Sequence, residues 1–462
     1  MKQTNFRSVL ILTGAALVAG FSGCATKPDT QHDAWIEPRP LGRELATYRP
    51  PLNAADKPMP VPVEEPEGAL TLRQALALAL TRNPDLAAFS WAVRIGEART
   101  LQAGLRPNPE AGVEVEDVLG TGSFIGFREA QTTIQLSQLV ELGGKRAARV
   151  KAASLARELA AWDYEARRLE VFTQTAAAFV EVLSLQHRLA LAEETAQLAE
   201  QTVAAVKQRV AAARTFAVEE TKAQVALASV RIERDQTQRA LAAARARLAA
   251  AWGSTQPRFT HVEGNLETQA AVPDLESLQA RLMQNPDLAR WTTEIAEREA
   301  QLKLERSRRV PDVTVGGGYR RLSGPEDNAF VAGVSIPLPL FNKNEGNIKE
   351  AEFQVAKARD EQRAAELRVA AALSQAWQRL AAAAAEVAAL KEQVLPGAQQ
   401  TFDTVRQYYT EGRLSYLDVL DAQRTLFAAR AQHYRALADY QQALVTVESL
   451  IGEPATAQDK TP

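Results

Sequence analysis

The pentapeptide Asn83-Pro84-Asp85-Leu86-Ala87 returns letter for letter at Asn285-Pro286-Asp287-Leu288-Ala289. At the same spacing Arg106 and Pro109 return as Arg308 and Pro311, and further on Ala223-Gln224 answers Ala422-Gln423 and Trp252-Gly253 answers Ile451-Gly452. A period of about 200 residues is far longer than the 20–50 of a solenoid built from short units. One structural half is written twice. Its copies span 71–253 and 274–452, with a linker at 254–273 and a polar tail at 453–462.

Each half reads as helix, two strands, then long helices. Thr71 is an N-cap for a short helix that Asn83-Pro84 ends, and a second helix runs from Asp85 to Leu105 until Arg106-Pro107-Asn108-Pro109 stops it. Val113 and Val115 then alternate with Glu114 and Glu116, and Ile134 and Leu136 with Thr133, Gln135 and Ser137. The second half repeats the period of two. Val313, Val315 and Tyr319 alternate with Thr314, Gly316, Gly318 and Arg320, and Phe330, Ala332, Val334 and Ile336 with Val331, Gly333 and Ser335. Such stretches are strands with one apolar and one polar face. At about nine to eleven residues they match tilted bilayer-crossing strands, although soluble hairpins on a helical protein give the same pattern.

From Lys145 to Arg214 there is neither proline nor glycine. A helix of that run reaches on the order of 100 Å, and its Gln, Glu, Lys and Arg content keeps it in water rather than lipid. A second helix spans Glu219 to Trp252, and the later half repeats the pair around a turn at Gly412, with a break or kink expected at Pro396-Gly397. Four strands in a membrane cannot stay open, because edge N–H and C=O groups would face hydrocarbon. Two chains would give a side-chain-filled eight-stranded barrel, and three a twelve-stranded barrel with a lumen.

The N-terminus supplies an address. Lys2 and Arg7 precede an apolar run from Val9 to Gly20, and Phe21-Ser22-Gly23-Cys24 closes it. Residues 1–23 read as a signal peptide, and Cys24, the single cysteine, stands where lipidation needs it. Ala25 after it resembles an outer-membrane sorting signal. Prolines then crowd the segment 24–70, which reads as an extended periplasmic tether.

The duplicated helix-hairpin-helix plan, the cysteine-ending leader and the turn-flanking sequences resemble the TolC-like outer-membrane efflux proteins, from Thr71 to Gly452. Ser137 to Arg146 and Ile336 to Asn344 resemble the strand-to-helix junctions of the CzcC-type branch, which serves heavy-metal efflux of the resistance-nodulation-division class. Leu414-Ser415-Tyr416-Leu417-Asp418-Val419-Leu420-Asp421-Ala422-Gln423 is similar to that family's tip motif. The resemblance implies a mostly α protein with membrane β: a homotrimer whose twelve-stranded β-barrel, four strands per chain, continues into an α-barrel tunnel. It implies an outer-membrane exit duct that hydrolyses nothing itself, working with a periplasmic adaptor and an inner-membrane pump. It further implies a lumenal gate at Asp418 and Asp421, where threefold symmetry would make two carboxylate rings that attract cations. Tyr409, Gly412 and Arg413 belong to that tip turn. Glu219 and Lys222 occupy the equivalent positions in the first half and are candidate adaptor contacts.

Without the resemblance, Asp418 and Asp421 three apart on a helix are an ordinary solvated face. His32, His187, His261 and His433 are far apart in sequence, and no CxxC, HExxH, phosphate loop or nucleophile elbow is present, so neither a metal site, a cofactor nor an enzyme is indicated. A net charge of −2 and 6% aromatic residues give no nucleic-acid footprint. A periplasmic adaptor would carry a single hairpin between β-rich domains, and a structural coiled coil would need sustained heptads.

Overall fold

A computed structural model of the chain describes residues 35–51 and 65–455. Cys24, the leader and most of the tail lie outside the described residues. In chain order the elements are β1 (Gly68–Thr71), α1 (Leu72–Arg82), α2 (Pro84–Gly104), β2 (Glu110–Glu116), β3 (Gln131–Val140), α3 (Lys145–Ala211), α4 (Ala217–Ala250) and β4 (Phe259–Glu263). Then follow α5 (Leu275–Ala280), α6 (Pro286–Ser307), β5 (Val313–Leu322), β6 (Asn328–Ser335), α7 (Glu345–Ala389), α8 (Leu395–Thr410) and α9 (Tyr416–Ile451).

The duplicated motif has a physical explanation. Asn83 accepts from the Leu86 N–H at 2.9 Å and Asn285 from the Asp287 N–H at 2.8 Å, each capping a helix with proline in its first turn. Each amide then donates at 2.9 Å to a carbonyl at the end of the long helix of its own half, Ala251 for Asn83 and Leu450 for Asn285. One asparagine therefore starts a helix and ties down the end of another, twice. Around these joints lies the largest core, with Trp252, Phe259, Leu70 and Tyr440 almost fully buried.

β2, β3, β5 and β6 form one antiparallel sheet in that order. The register aligns Val113, Ile134, Tyr319 and Phe330 in a single cross-strand row. The next row on the opposite face is Glu114, Thr133, Arg320 and Ala329. On the apolar face Phe330 is 90% exposed and Val113 70%, which suits contact with hydrocarbon rather than a core. On the polar face Arg320 donates to Thr133 Oγ1 (2.9 Å), Gln131 Oε1 (3.0 Å) and Glu116 Oε2 (3.1 Å). Gly318 lies between these strands because a Cβ there would come within 2.6 Å of the Ile134 carbonyl oxygen. The inner strands β3 and β5 have the expected length of 10 residues, but β2 and β6 have only 7 and 8. They are the edges, each with a partner on one side only.

Three sequence expectations are corrected. The stretch 24–70 is no free tether throughout, because residues 35–51 dock on both repeats. Leu41 N–H donates to the Gly452 carbonyl (3.0 Å), Tyr48 N–H to that of Leu80 (3.0 Å), and Trp35 meets Tyr164 edge-on at 4.8 Å. Prolines forbid helix there, yet they leave carbonyls and apolar side chains free to pack. The linker 254–273 contains β4, which pairs in parallel with β1, the strand that ends at Thr71. Both strands are too short for their alternation to register in the sequence. Finally, of the break or kink expected at Pro396-Gly397, there is no break: the helix runs on through these residues after a local irregularity. A π-helical turn at Leu390–Val394 carries α7 into α8, with the Leu395 N–H reaching back to the Leu390 carbonyl. Widening the turn absorbs the donor that proline lacks.

Among the described residues no helix is long and apolar enough to cross a membrane. The 67-residue α3 extends on the order of 100 Å instead.

Candidate functional site: the helix tips

Two turns close the long helical hairpins at the end remote from the sheet. In the second, Gly412 adopts φ +74°, the Gly412 N–H donates to Tyr409 O (3.0 Å) and the Arg413 N–H to Tyr408 O (2.9 Å). That is a Schellman-type stop, with glycine at the left-handed position. The first turn copies it with Ala213 at φ +54°, the Ala213 N–H bonding Val210 O (2.9 Å) and the Arg214 N–H bonding Arg209 O (2.8 Å). Alanine holds that conformation at a steric cost that glycine avoids.

The helices leaving the turns start differently. Ser415 caps α9 through a reciprocal box. Its Oγ accepts from the Asp418 N–H (3.4 Å), while Asp418 Oδ2 accepts from the Ser415 N–H (2.9 Å) and hydroxyl (2.7 Å). These bonds hold the Asp418 carboxyl below its ordinary range. In the first turn Phe216 stands at the cap and offers no side-chain bond, and Glu219 accepts instead from the Thr215 hydroxyl. Asp418 and Glu219 thus lie in the first turns of their helices, and both carboxylates turn back toward the residues that precede those helices.

Asp421 differs. It lines a groove of about 1060 Å³ between α3, α4 and α9, which it shares with Lys222, Arg424, Leu417 and Val225. The two aspartates are neighbours in sequence, but Asp421 opens onto this groove and Asp418 does not. Lys222 faces the same space from the other half.

The two tips are fastened together by residues that the sequence reading passed over. Tyr416 is 2% exposed and packs with Val206 and Ala223. Its phenol is pushed up to about 12, by burial first and then by Tyr409 and Glu219 nearby. The Arg209 guanidinium lies 4.6 Å from the centroid of the Tyr409 ring, which itself stands 6.2 Å from Tyr416. Arg413 stays on its own turn, 4.7 Å from the Tyr408 ring and 3.6 Å from Glu411. Tyr416 follows the cap directly, and its place on the apolar face with Val419 and Leu420 was the available signal.

The model of a known family settles what this arrangement belongs to. "Outer membrane efflux protein" matches residues 75–254 and then again 277–453. The chain belongs to the outer membrane efflux protein family. It is a channel of the outer membrane, and each match covers one copy of the duplicated half. Among characterised proteins, this efflux protein is similar to the cobalt-zinc-cadmium resistance protein CzcC of Cupriavidus metallidurans. Identity is 37% over 418 residues, covering 89% of this chain and 98% of that one. The nickel and cobalt resistance protein CnrC of the same organism is 29% identical over 297 residues, 64% of this chain and 69% of its own. Among solved structures, CusC superposes with a TM-score of 0.70 at 19% identity over 88% of this chain and 99% of that one. The Campylobacter jejuni CmeC outer membrane channel gives 0.70 at 15% identity, covering 88% and 95%. The efflux protein has their fold, a helical tunnel continued by strands of a β-barrel.

Proposed function

We propose that three copies of this efflux protein form a passive exit duct for divalent heavy-metal cations, supplied by a periplasmic adaptor and an inner-membrane pump of the resistance-nodulation-division class. The carrying observation is the 37% identity to the cobalt-zinc-cadmium resistance protein over 98% of that protein's length. Three copies supply the twelve strands that a barrel with an open lumen needs, whereas two would fill the interior with side chains.

Within this reading the chain performs no chemistry. It offers a wall. Among the described residues there is no group of three His, Cys, Asp or Glu able to hold a metal ion. Asp421 supplies a lumenal carboxylate at the tip, with Asp418 beside it stabilising the start of the helix. Tyr409, Gly412, Arg413, Glu219 and Lys222 surround the surface offered to the adaptor. Cys24 carries the lipid, and repeats 71–253 and 274–452 form the body.

The test is a deletion strain, complemented by the wild-type gene, challenged with zinc, cobalt, cadmium and a panel of antibiotics. Metal sensitivity restored by the gene is expected. Normal growth in all three metals together with antibiotic sensitivity would assign the duct to drug efflux instead.

A further inference from the structure

Where the two repeats meet along the tunnel, two histidines that lie far apart in sequence flank one tyrosine. His187 of α3 stacks on Tyr434 of α9, with centroids 5.1 Å apart and planes 11° from parallel. His433, the preceding residue on α9, stands 6.1 Å from the same ring. It is 8% exposed, and its Nδ1 is buried with no hydrogen-bond partner. The third member is Glu267, on the segment between β4 and α5. That segment is pinned to α9: Tyr440 Oη accepts from the Ala270 N–H (3.1 Å) and donates to the Ala270 carbonyl (2.9 Å), and Gln441 donates to Thr268 O (2.8 Å). One titratable side chain thus comes from each repeat and one from the linker joining them.

The charges around this seam are close to balance only while the imidazoles are neutral. Burial pushes both imidazoles down, Glu267 opposes this at both, and Lys391 of the π-helical turn lowers His433 further. Arg188 of α3 and Arg435 of α9 repel each other alongside, with Glu233 of α4 the compensating carboxylate. Asp439 of α9 is pushed up by burial and by Glu386 of α7, with Arg435 opposing. Neutral imidazoles suit this setting. Two imidazoliums would add to Lys391, Arg188 and Arg435 against Glu267, Glu233, Glu386 and a weakened Asp439.

We propose that His187, His433 and Glu267 form a proton-responsive seam between the two repeats, closed while both imidazoles are neutral and loosened when acid charges them. The sign follows from linkage. Above the ordinary histidine value of about 6.5, folded and unfolded chains are both unprotonated at these sites. As pH falls below it, the unfolded chain takes up protons that the packed seam resists, so stability declines until the folded values are passed. The effect is independent of the cargo.

The test uses the full-length protein in lipid nanodiscs, comparing thermal unfolding and hydrogen exchange of α9 amides between pH 7.5 and 5. Wild type should lose several degrees of midpoint across that range, with protection factors of α9 amides around 430–440, taken relative to intrinsic exchange at each pH, falling about tenfold or more. H187Q/H433Q should lose most of both responses. E267Q, at an exposed position that leaves packing intact, should extend the loss to lower pH because the opposing carboxylate is gone. An H187Q/H433Q protein that keeps the wild-type pH response overturns the proposal. Should that double variant fail to assemble, an E267Q response identical to wild type overturns it equally.

Discussion

Ala213 and Gly412 occupy equivalent positions in the two tip turns, and only one of them is a residue suited to a left-handed backbone. Ala213→Gly should therefore stabilise the first tip by about 1 kcal/mol, and Gly412→Ala should destabilise the second by a similar amount. Denaturant unfolding of the two variants checks both signs. The aspartates separate by role. If the proposed lumenal role holds, Asp421→Asn should lower the cation preference of single channels in planar bilayers. Asp418→Asn should leave selectivity unchanged and weaken the start of α9. That contribution of Asp418 is present above the ordinary carboxylate value and is lost as pH falls through its depressed one. Equal selectivity changes in the two variants would contradict this division. Asp418 and Asp421 could be found in the sequence, but their different orientations could not. A capping box is visible as Ser415 followed by Asp418, yet whether that carboxylate turns back or outward is settled only when the turn is built.

Among the elements, α3 carries a buried pair on which the docked N-terminal segment depends. Glu165 and Arg168 are 2% and 1% exposed and 2.7 Å apart, and Glu165 also accepts from the Arg39 N–H at 2.7 Å. Glu165→Gln leaves Arg168 charged and uncompensated, and such a loss costs about 3–5 kcal/mol. The expected outcome is a lower unfolding midpoint and earlier proteolysis near residues 35–51. Unchanged midpoint and cleavage would show that the segment is held by its apolar contacts alone. The long helices were legible because seventy residues without proline or glycine allow little else. Residues 35–51 were not, because proline-rich sequence says which structure is forbidden and nothing about where the chain lies. β1 and β4 were missed for a related reason: four or five residues cannot display a period, and the pairing spans the length of a whole repeat. At Pro396 the expected irregularity is real, but its form as a wide turn depends on hydrogen bonds that no local pattern specifies.

For the whole molecule, the two faces of the sheet make a sharp contrast testable. Ile134→Lys places a cation on the apolar row and should cost about 2–4 kcal/mol at the bilayer midplane, less toward the interfaces. Gln135→Lys, one residue on, points to the opposite face and should assemble normally while reducing cation preference. Heat-resistant migration in gels reads assembly, and reversal potentials read selectivity. Assembly failing for Gln135→Lys and surviving for Ile134→Lys would invert the barrel. The two bare edges, β2 and β6, have a further consequence, and it is genetic. In the proposed closed ring of three, each copy would supply an edge to both of its neighbours. A subunit with one ruined edge therefore spoils every ring it enters. When such an allele is expressed equally beside a healthy gene, random mixing leaves about one ring in eight free of it. Lesions on these strands should behave as dominant, and lesions that prevent folding altogether as recessive.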